Sequence, residues 1–408
     1  MVVGGGVIGL STALELQRRG WKVTVLERET ARDGCSYVNA GMIVPSHFIP
    51  IAAPGAVASG FRWMLSAKSP FSIALPRNLS DIRWLLGFLR SANTANVKAA
   101  AEPLVNLHLS SRRSYIESQK SLGVAVHTKG IVVLYRTSHA ERHERDTAEL
   151  ARRIGLEPVV MNPLQLGELD PPSHYRARGG VWYPMDGHLD PAELMAALER
   201  NFTEGGGELH RGMMARSIEL REGGVRSVST SAGSFCADEY VVAAGVWSAR
   251  LLHPLGVKLP LIAGKGYSFD IPNPGIGVPA LLSEARVAVT PLGDRLRIAG
   301  TMEIGAADLK VKHARLLGIQ SSISDYFHLS HALPPPPVVR AGLRPMSPDG
   351  LPYIGRLSCA PNLSVSAGHA MMGVSLAAAS SVALAELIHL GACGMDLRIF
   401  NPNRFERR

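Results

Sequence analysis

The stretch RAGLRPMSPDGLPYIG, Arg340 to Gly355, places two arginines among glycines, prolines and apolar residues, after the run Pro334 to Pro337. A guanidinium in apolar surroundings is costly unless an anion meets it. Its planar fork matches a carboxylate through two parallel hydrogen bonds. Arg344 is therefore a candidate anchor for a small carboxylate, the alternative being a structural ion pair with Asp349. Arg340 is assigned the structural role. His139 and His143, with Glu141 between them in SHAERHERDTAELARR, have helical spacing but not the HExxH arrangement; they read as a solvated helix face, and no metal is expected.

A second group of residues opens the chain. In MVVGGGVIGLSTALELQRRGWKVTVLERE, Gly4, Gly6 and Gly9 occupy the G-x-G-x-x-G positions between a short apolar strand and a helix read over Leu10 to Arg19. Gly20 ends that helix, and WKVTVLE is a second strand closing on Glu27. Gly4 permits the tight turn, Gly6 lets a pyrophosphate approach the backbone, and Gly9 lets the helix pack on the strand. Val7 and Ile8 fall at the helix start, which faces the anion. Glu27, with Arg28 beside it, can accept hydrogen bonds from ribose hydroxyls. The fingerprint suits NAD or FAD equally. Only three residues precede the glycines, so either the natural start lies a few residues upstream of Met1 or the first strand is unusually short.

Positioning such groups needs a chain of several units. With 408 residues and roughly 100–200 per domain, two to three domains are expected. A 46% hydrophobic and 19% charged composition is that of an ordinary folded enzyme. The net charge of +9 attracts anions, but the basic residues are scattered without interleaved aromatics, and nucleic acid is not an expected partner. Cys35, Cys236, Cys359 and Cys393 form no CxxC pair, which fits a reducing compartment. No signal peptide is read at the start. Ala40 to Phe61 and Leu357 to Ala385 carry no Lys, Arg, Asp or Glu, yet prolines and glycines break them, and both read as buried segments. Phe48 to Phe71, with Phe61, Arg62, Trp63 and Lys68, is the candidate for contact with a membrane surface.

HLDPAELMAALERNF is a helix capped at Asp190 with Pro191 in its first turn. GGVWYPMD, KGYSFDIP and RLRIAGTME read as strands, DLKVKHARLLGIQSSISDYF as an amphipathic helix, and Val374 to Leu390 as a helix after SAGHAMMG. The strand Tyr240 to Ala243 ends at Ala244 and Gly245, with Trp247 following.

Four segments in order resemble the D-amino-acid oxidase superfamily of FAD enzymes: the N-terminal fingerprint, CSYVNAGMIVP (Cys35 to Pro45), VVAAGVWS, and the pair AGLRPMSPDGLPYIG with SAGHAMMGVSLAAASS. NAGMIVPSHFIPIAAPG and LIAGKGYSFDIP are most similar to bacterial D-amino-acid and hydroxyproline dehydrogenases. The resemblance implies an α/β fold: a discontinuous Rossmann-like FAD-binding domain (1–85, 187–262 and 345–408) with an inserted α+β substrate domain (86–186 and 263–344). It implies noncovalent FAD, no cysteine lying in the C-terminal turn. Besides the fingerprint residues, Ser36, Asn39, Ala40, Gly41, Ala244, Gly245, Trp247, Gly342, Gly368, Met371, Met372 and Gly373 are the expected cofactor contacts, and His47 an expected pocket residue.

The implied reaction oxidises a D-amino acid or a cyclic D-imino acid such as D-proline or hydroxy-D-proline. Hydride passes from Cα to flavin N5, giving an imine or, after hydrolysis, a keto acid. Arg344 would hold the carboxylate. Tyr267 resembles the family tyrosine whose hydroxyl joins it there, against the alternative of a half-buried strand tyrosine; Lys265 beside it reads as a solvated strand-end charge. His369 would line the flavin, against the alternative of a structural histidine. Expected acceptors are a quinone, an electron-transfer protein or oxygen. The expected location is the cytoplasm, with peripheral contact on the inner face of the membrane and an oligomer as further expectations. The rival readings are a glycine or sarcosine oxidase-like activity and a noncatalytic FAD-bound regulatory subunit.

Overall fold

A computed structural model describes residues 1–54, 69–306, 308–329 and 334–406. Of the segment expected at a membrane surface, Phe61, Arg62, Trp63 and Lys68 lie outside these residues, and Phe48 is fully buried.

Two sheets organise the described chain. The first has six strands in the order Tyr353–Arg356, Leu363–Ala367, Tyr240–Val242, Val2–Val3, Thr24–Glu27 and Glu208–Arg211, all parallel except the Tyr353–Arg356 edge. Both faces are covered, so its strands are near-continuous apolar runs. Val2, Val25, Val241 and Ile354 point into one core with the helices Val7–Arg18, Pro191–Glu204 and Gly373–Leu390. Val3, Leu26, Val242 and Tyr353 point into another, under the antiparallel strands Ser217–Arg221, Gly224–Thr230 and Gly233–Phe235. Among the described residues one helix, Ala370–Leu390, is long and apolar enough to cross a membrane, and 67% of its apolar window is buried inside the protein.

The second sheet has nine strands and is mostly antiparallel. Val339–Met346 forms one edge beside Ile262–Pro272, then Arg295–Ile304 and Val287–Leu292. The helix His313–Tyr326 covers one face of this part through Ile319, Ile323 and Tyr326. Asp190 caps its helix as expected, its Oδ1 accepting from the Ala192 amide at 2.8 Å.

Two placements depart from the expected division. Phe71–Ile73, assigned to the cofactor unit, pairs in parallel with Arg295–Ile304 of the second sheet. The helix Thr94–Leu122, assigned to the substrate unit, buries Ala100, Leu104 and Leu107 in the helical core over the first sheet. It puts Ala101 and Val105 into a core shared with Tyr135 and Val181. Its two apolar faces span both units, a property that composition along the chain does not reveal.

Candidate active site

The N-terminal turn has the geometry its glycines require. Gly4 has φ +112°, and a Cβ there would overlap the Ala243 carbonyl; one on Gly9 would overlap the Gly4 carbonyl. The helix Val7–Arg18 starts with no side-chain cap and no acidic residue in its first turn. The Val7 amide donates to Ser36 Oγ at 2.9 Å, and a Cβ on Gly6 would meet that same oxygen. Glu27 Oε2 accepts from the Gly5 amide at 2.6 Å and Oε1 from the Glu29 amide at 2.7 Å. Each carboxylate oxygen keeps a lone pair for a ribose hydroxyl. Arg28 lies over the Trp247 ring at 3.7 Å, next to the turn through Ala244 and Gly245.

The loop after Cys35 is fixed from both sides. Asn39 Oδ1 accepts from the Gly41 amide at 2.8 Å, and Asn39 Nδ2 donates to the Met371 carbonyl at 3.3 Å. This joins Ala40 and Gly41 to the turn from Gly368 to Gly373. Gly41 has φ +80°, and a Cβ on it would overlap the Leu189 carbonyl. From the second sheet, the buried Arg297 donates to the carbonyls of Tyr37 (2.9 Å) and Asn39 (3.1 Å), while Asp270 holds the same guanidinium at 2.7 and 2.9 Å. Asp270 is also paired with Arg295, which reaches Asp190. The neighbouring guanidinium groups keep the Asp270 carboxyl below its ordinary range even though burial pushes it up. Sequence reading missed this network. Its one signal is the pairing of Asp270 with Arg297 across adjacent strands.

An uncapped helix start, a glycine cradle, an exposed Trp247 and the Asn39–Gly41 loop fit a dinucleotide running from Glu27 toward the Gly368–Gly373 turn. In that turn Met371 is exposed and Met372 buried in the helical core, so Met371 rather than Met372 presents a side chain outward. Gly368 has φ +78°, and Gly373 begins the helix. His369 is turned inward: its Nε2 lies 3.1 Å from Ser380 Oγ, and it is 1% exposed. Burial lowers its pKa to about 3, so the ring is uncharged near neutrality.

Arg344 faces this loop and turn. Gly342 and Gly266 lie on its side of the sheet: a Cβ on Gly342 would press on Val38 and Cys35, and one on Gly266 would overlap the guanidinium. Arg344 lies flat over the Gly266 backbone, which explains the glycine in GKGYSF. Its Nη1 donates to the Thr301 carbonyl at 2.9 Å and lies 3.8 Å from Met302 Sδ. No carboxylate pairs with it among the described residues. Asp349, the expected structural partner, is held instead by Arg404 at 2.7 and 3.0 Å. Burial lowers the Arg344 pKa from its ordinary value. Arg340, assigned a structural role, is exposed and makes no ion pair among the described residues.

Tyr267 is not at the anchor. It pairs with Ala341, one residue out of phase with the Gly266–Gly342 and Gly264–Arg344 pairs, and side chains alternate faces along a strand. Its hydroxyl bonds Glu303 and accepts from the Lys312 amide at 3.0 Å on the far side of the sheet. Lys265 shares that face; it is 2% exposed and bonded to Asp308 at 3.0 Å, a buried ion-pair member rather than a solvated charge. His47 is half-buried next to Ser46, and desolvation together with the Arg286 charge lowers its pKa to about 4. On the helix that carries His139 and His143, Glu141 is committed to Arg145 and Arg178.

Residues 1–387 match the sequence profile of a family described as DAO, FAD dependent oxidoreductase. A D-amino acid dehydrogenase of Cereibacter sphaeroides is 31% identical over 402 residues, covering 95% of this chain and 91% of that protein. One from Granulibacter bethesdensis is 30% identical, covering 95% of each. Among solved structures, glycine oxidase from Geobacillus kaustophilus superimposes with a TM-score of 0.77 at 24% identity, covering 99% of this chain and 97% of that one.

Proposed function

The chain belongs to the DAO family of FAD-dependent oxidoreductases, and from that premise we propose that it oxidises D-amino acids or cyclic D-imino acids, D-proline and hydroxy-D-proline among them, to the imine. The coarser activity, FAD-dependent oxidation of an amino acid, follows from the family and from whole-length relatives. The observation that carries the finer reading is the half-buried Arg344 guanidinium with a carbonyl and a thioether beside it and no carboxylate among the described residues.

When bound, noncovalent FAD supplies the electron sink that takes the Cα hydrogen with its electron pair. Arg344 holds the substrate carboxylate, and the glycine floor at Gly266 keeps the fork flat. Orientation is the chief contribution of the protein. Met302, Met346 and Ala370 share an apolar cluster with Trp84 and Phe88 around the anchor, which favours a neutral, compact side chain over a second charge. His369 and His47 are uncharged near neutrality, and the substrate amine must itself be the free base for its lone pair to drive loss of the hydride.

The reading carries a quinone or electron-transfer protein as acceptor, and a cytoplasmic enzyme in peripheral contact with a membrane. Leu79, Ile82, Leu86 and Leu89 form an exposed apolar stripe on the helix Leu79–Ser91, with Arg83 and Arg90 also exposed. Binding to anionic vesicles that Leu86→Glu abolishes supports this contact; equal binding by both forms rules out the stripe. Substrate class is tested by paired D and L amino acids with oxygen and with a quinone. Turnover confined to L forms, or to glycine and sarcosine, would replace the proposal.

A further inference from the structure

The loop from Cys35 to Gly41 rests on the face of the second sheet that carries Arg344. Gly342, two residues before Arg344 in the edge strand, lies against it: a Cβ there would come within 2.7 Å of Val38 Cγ2 and 3.2 Å of Cys35 Cα. Ala40 packs beside Leu281 and Ala288 of the same sheet. Asp270 follows Gly266 by four residues and so shares its face, while Tyr267, Phe269 and Ile271 fill the opposite core. Arg297 is the register partner of Asp270 on the next strand. Its neighbours Leu296 and Ile298 also belong to that opposite core, so Arg297 points to the loop side.

Arg297 is 3% exposed, and its fork is divided between two tasks. Nε and Nη2 donate to Asp270, and Nη1 donates to the carbonyls of Tyr37 and Asn39. Arg295 and Arg297 are balanced in turn by Asp270 and Asp190. The charge on the loop carbonyls is therefore one half of a neutral cluster, and its strength depends on Asp270.

A peptide group is planar and trans, so a carbonyl held on one side turns the amide of the same unit to the other. With the Asn39 carbonyl drawn to Arg297, the Ala40 N–H faces away from the second sheet. That N–H makes no hydrogen bond among the described residues, although Ala40 is half-buried. A backbone donor withheld from water normally has a partner. The next amide, that of Gly41, is already satisfied by Asn39 Oδ1, and Asn39 Nδ2 reaches the Met371 carbonyl. The unspent donor thus sits in the loop that is tied to the Gly368–Gly373 turn.

We propose that Arg297 is a positioning residue of the reaction: by holding the Asn39 carbonyl it aims the Ala40 N–H at bound flavin, and with Asp270 it sets how strongly that donor favours the negative charge of the reduced ring. The inference rests on the reading that FAD lies along the Asn39–Gly41 loop. Donors fixed in advance where charge develops act without reorganisation, and hydrogen bonds to the ring are a means by which a protein tunes its cofactor. Arg297 and Arg344 stand on one sheet, so the same contact holds the flavin loop in register with the carboxylate anchor.

The test is the midpoint potential of bound FAD in the unmodified protein, Arg297→Met and Asp270→Asn. Loss of the guanidinium weakens the donor, and the potential should shift negative. Loss of the carboxylate leaves the guanidinium uncompensated, and the potential should shift positive. Arg297→Lys, which keeps the charge without the fork, should lie between Arg297→Met and the unmodified protein. In anaerobic single turnovers with D-proline, the limiting rate of flavin reduction should fall about tenfold or more in Arg297→Met, the loss of a charge-assisted contact. Affinity for acetate, read from the oxidised flavin spectrum, should stay within about threefold, because Arg344 is intact. If Arg297→Met loads no FAD, Arg297→Lys and Asp270→Asn carry the comparison of sign. Unchanged potentials, shifts of the same sign in the arginine and aspartate variants, or a loss of acetate affinity as large as the loss of rate would each overturn the proposal. An FAD-loaded protein that no amino acid reduces would overturn the functional reading instead, and the potentials would still decide the role of Arg297.

Discussion

Replacing Arg344 by Met should separate catalysis from stability. The guanidinium is half-buried with one carbonyl acceptor and a sulfur neighbour, and no described carboxylate neutralises it. Met keeps much of the apolar stem and removes the charge. In the substrate complex the loss is that of one partner of a buried ion pair, about 3–5 kcal/mol. If it persists in the transition state, kcat/KM falls by roughly two to four powers of ten. In the free protein the sign reverses, because a partly desolvated and uncompensated charge has been taken away. Unfolding free energy should stay level or rise by about 1 kcal/mol or more. The assay pairs steady-state kinetics with thermal unfolding of the FAD-loaded proteins, and FAD content should be equal. Near-normal kcat/KM would refute the anchoring role. A large fall in Tm together with activity would refute it too, since that is the signature of a structural ion pair.

Gly266→Ala should act like a mild form of this variant. Its methyl group would overlap the Arg344 guanidinium, so kcat/KM should drop at unchanged FAD content; unchanged kinetics would contradict the flat placement of the fork. Tyr267→Phe should lose about 1–3 kcal/mol of stability, leaving Glu303 and the Lys312 amide short of a partner. Its kcat/KM should stay within a few-fold, and a loss as large as that of Arg344→Met would return Tyr267 to the substrate. Burial lowers the pKa of His47 to about 4 and of His108, His188 and His369 to about 3. Below about pH 6.5 the unfolded chain binds protons that the folded one refuses, so stability is lost as pH falls toward 3, by up to about 1.4 kcal/mol per pH unit per histidine. Asp186, raised to about 7 by burial, works in the opposite sense, gaining stability as pH falls from 7 toward its unfolded value. Four groups outweigh one, so Tm should fall below pH 6.5, and Asp186→Asn should steepen the fall; a flat profile would contradict the neutral, desolvated histidines.

What the sequence disclosed was local. Gly4 and Gly9, the Asp190 cap and the strand after Trp21 are each set by a few adjacent residues. The anchor at Arg344 was legible because a charge in an apolar run has few uses. Tyr267 departs from its expected place because strand parity decides it: Gly264 and Gly266 share a face with Arg344, so Tyr267 between Gly266 and Ser268 cannot. The contact of Arg297 with the Asn39 loop depends on register between strands and on a loop more than 250 residues away, which no spacing rule supplies. For His369 the turn was legible, but the inward rotation of its ring toward Ser380 of the following helix, which matches the structural alternative, was not.

The central claim is that Arg344 holds the carboxylate of an amino acid oxidised by bound FAD. Its most direct test is anaerobic addition of D-proline, and separately of L-proline, to the FAD-loaded protein and to Arg344→Met, followed by the oxidised flavin absorbance. The account predicts bleaching of the unmodified protein by D-proline, little with L-proline, and bleaching of Arg344→Met only at far higher D-proline concentration. Bleaching of both proteins at the same D-proline concentration, or no bleaching of the unmodified protein by any amino acid, would contradict it.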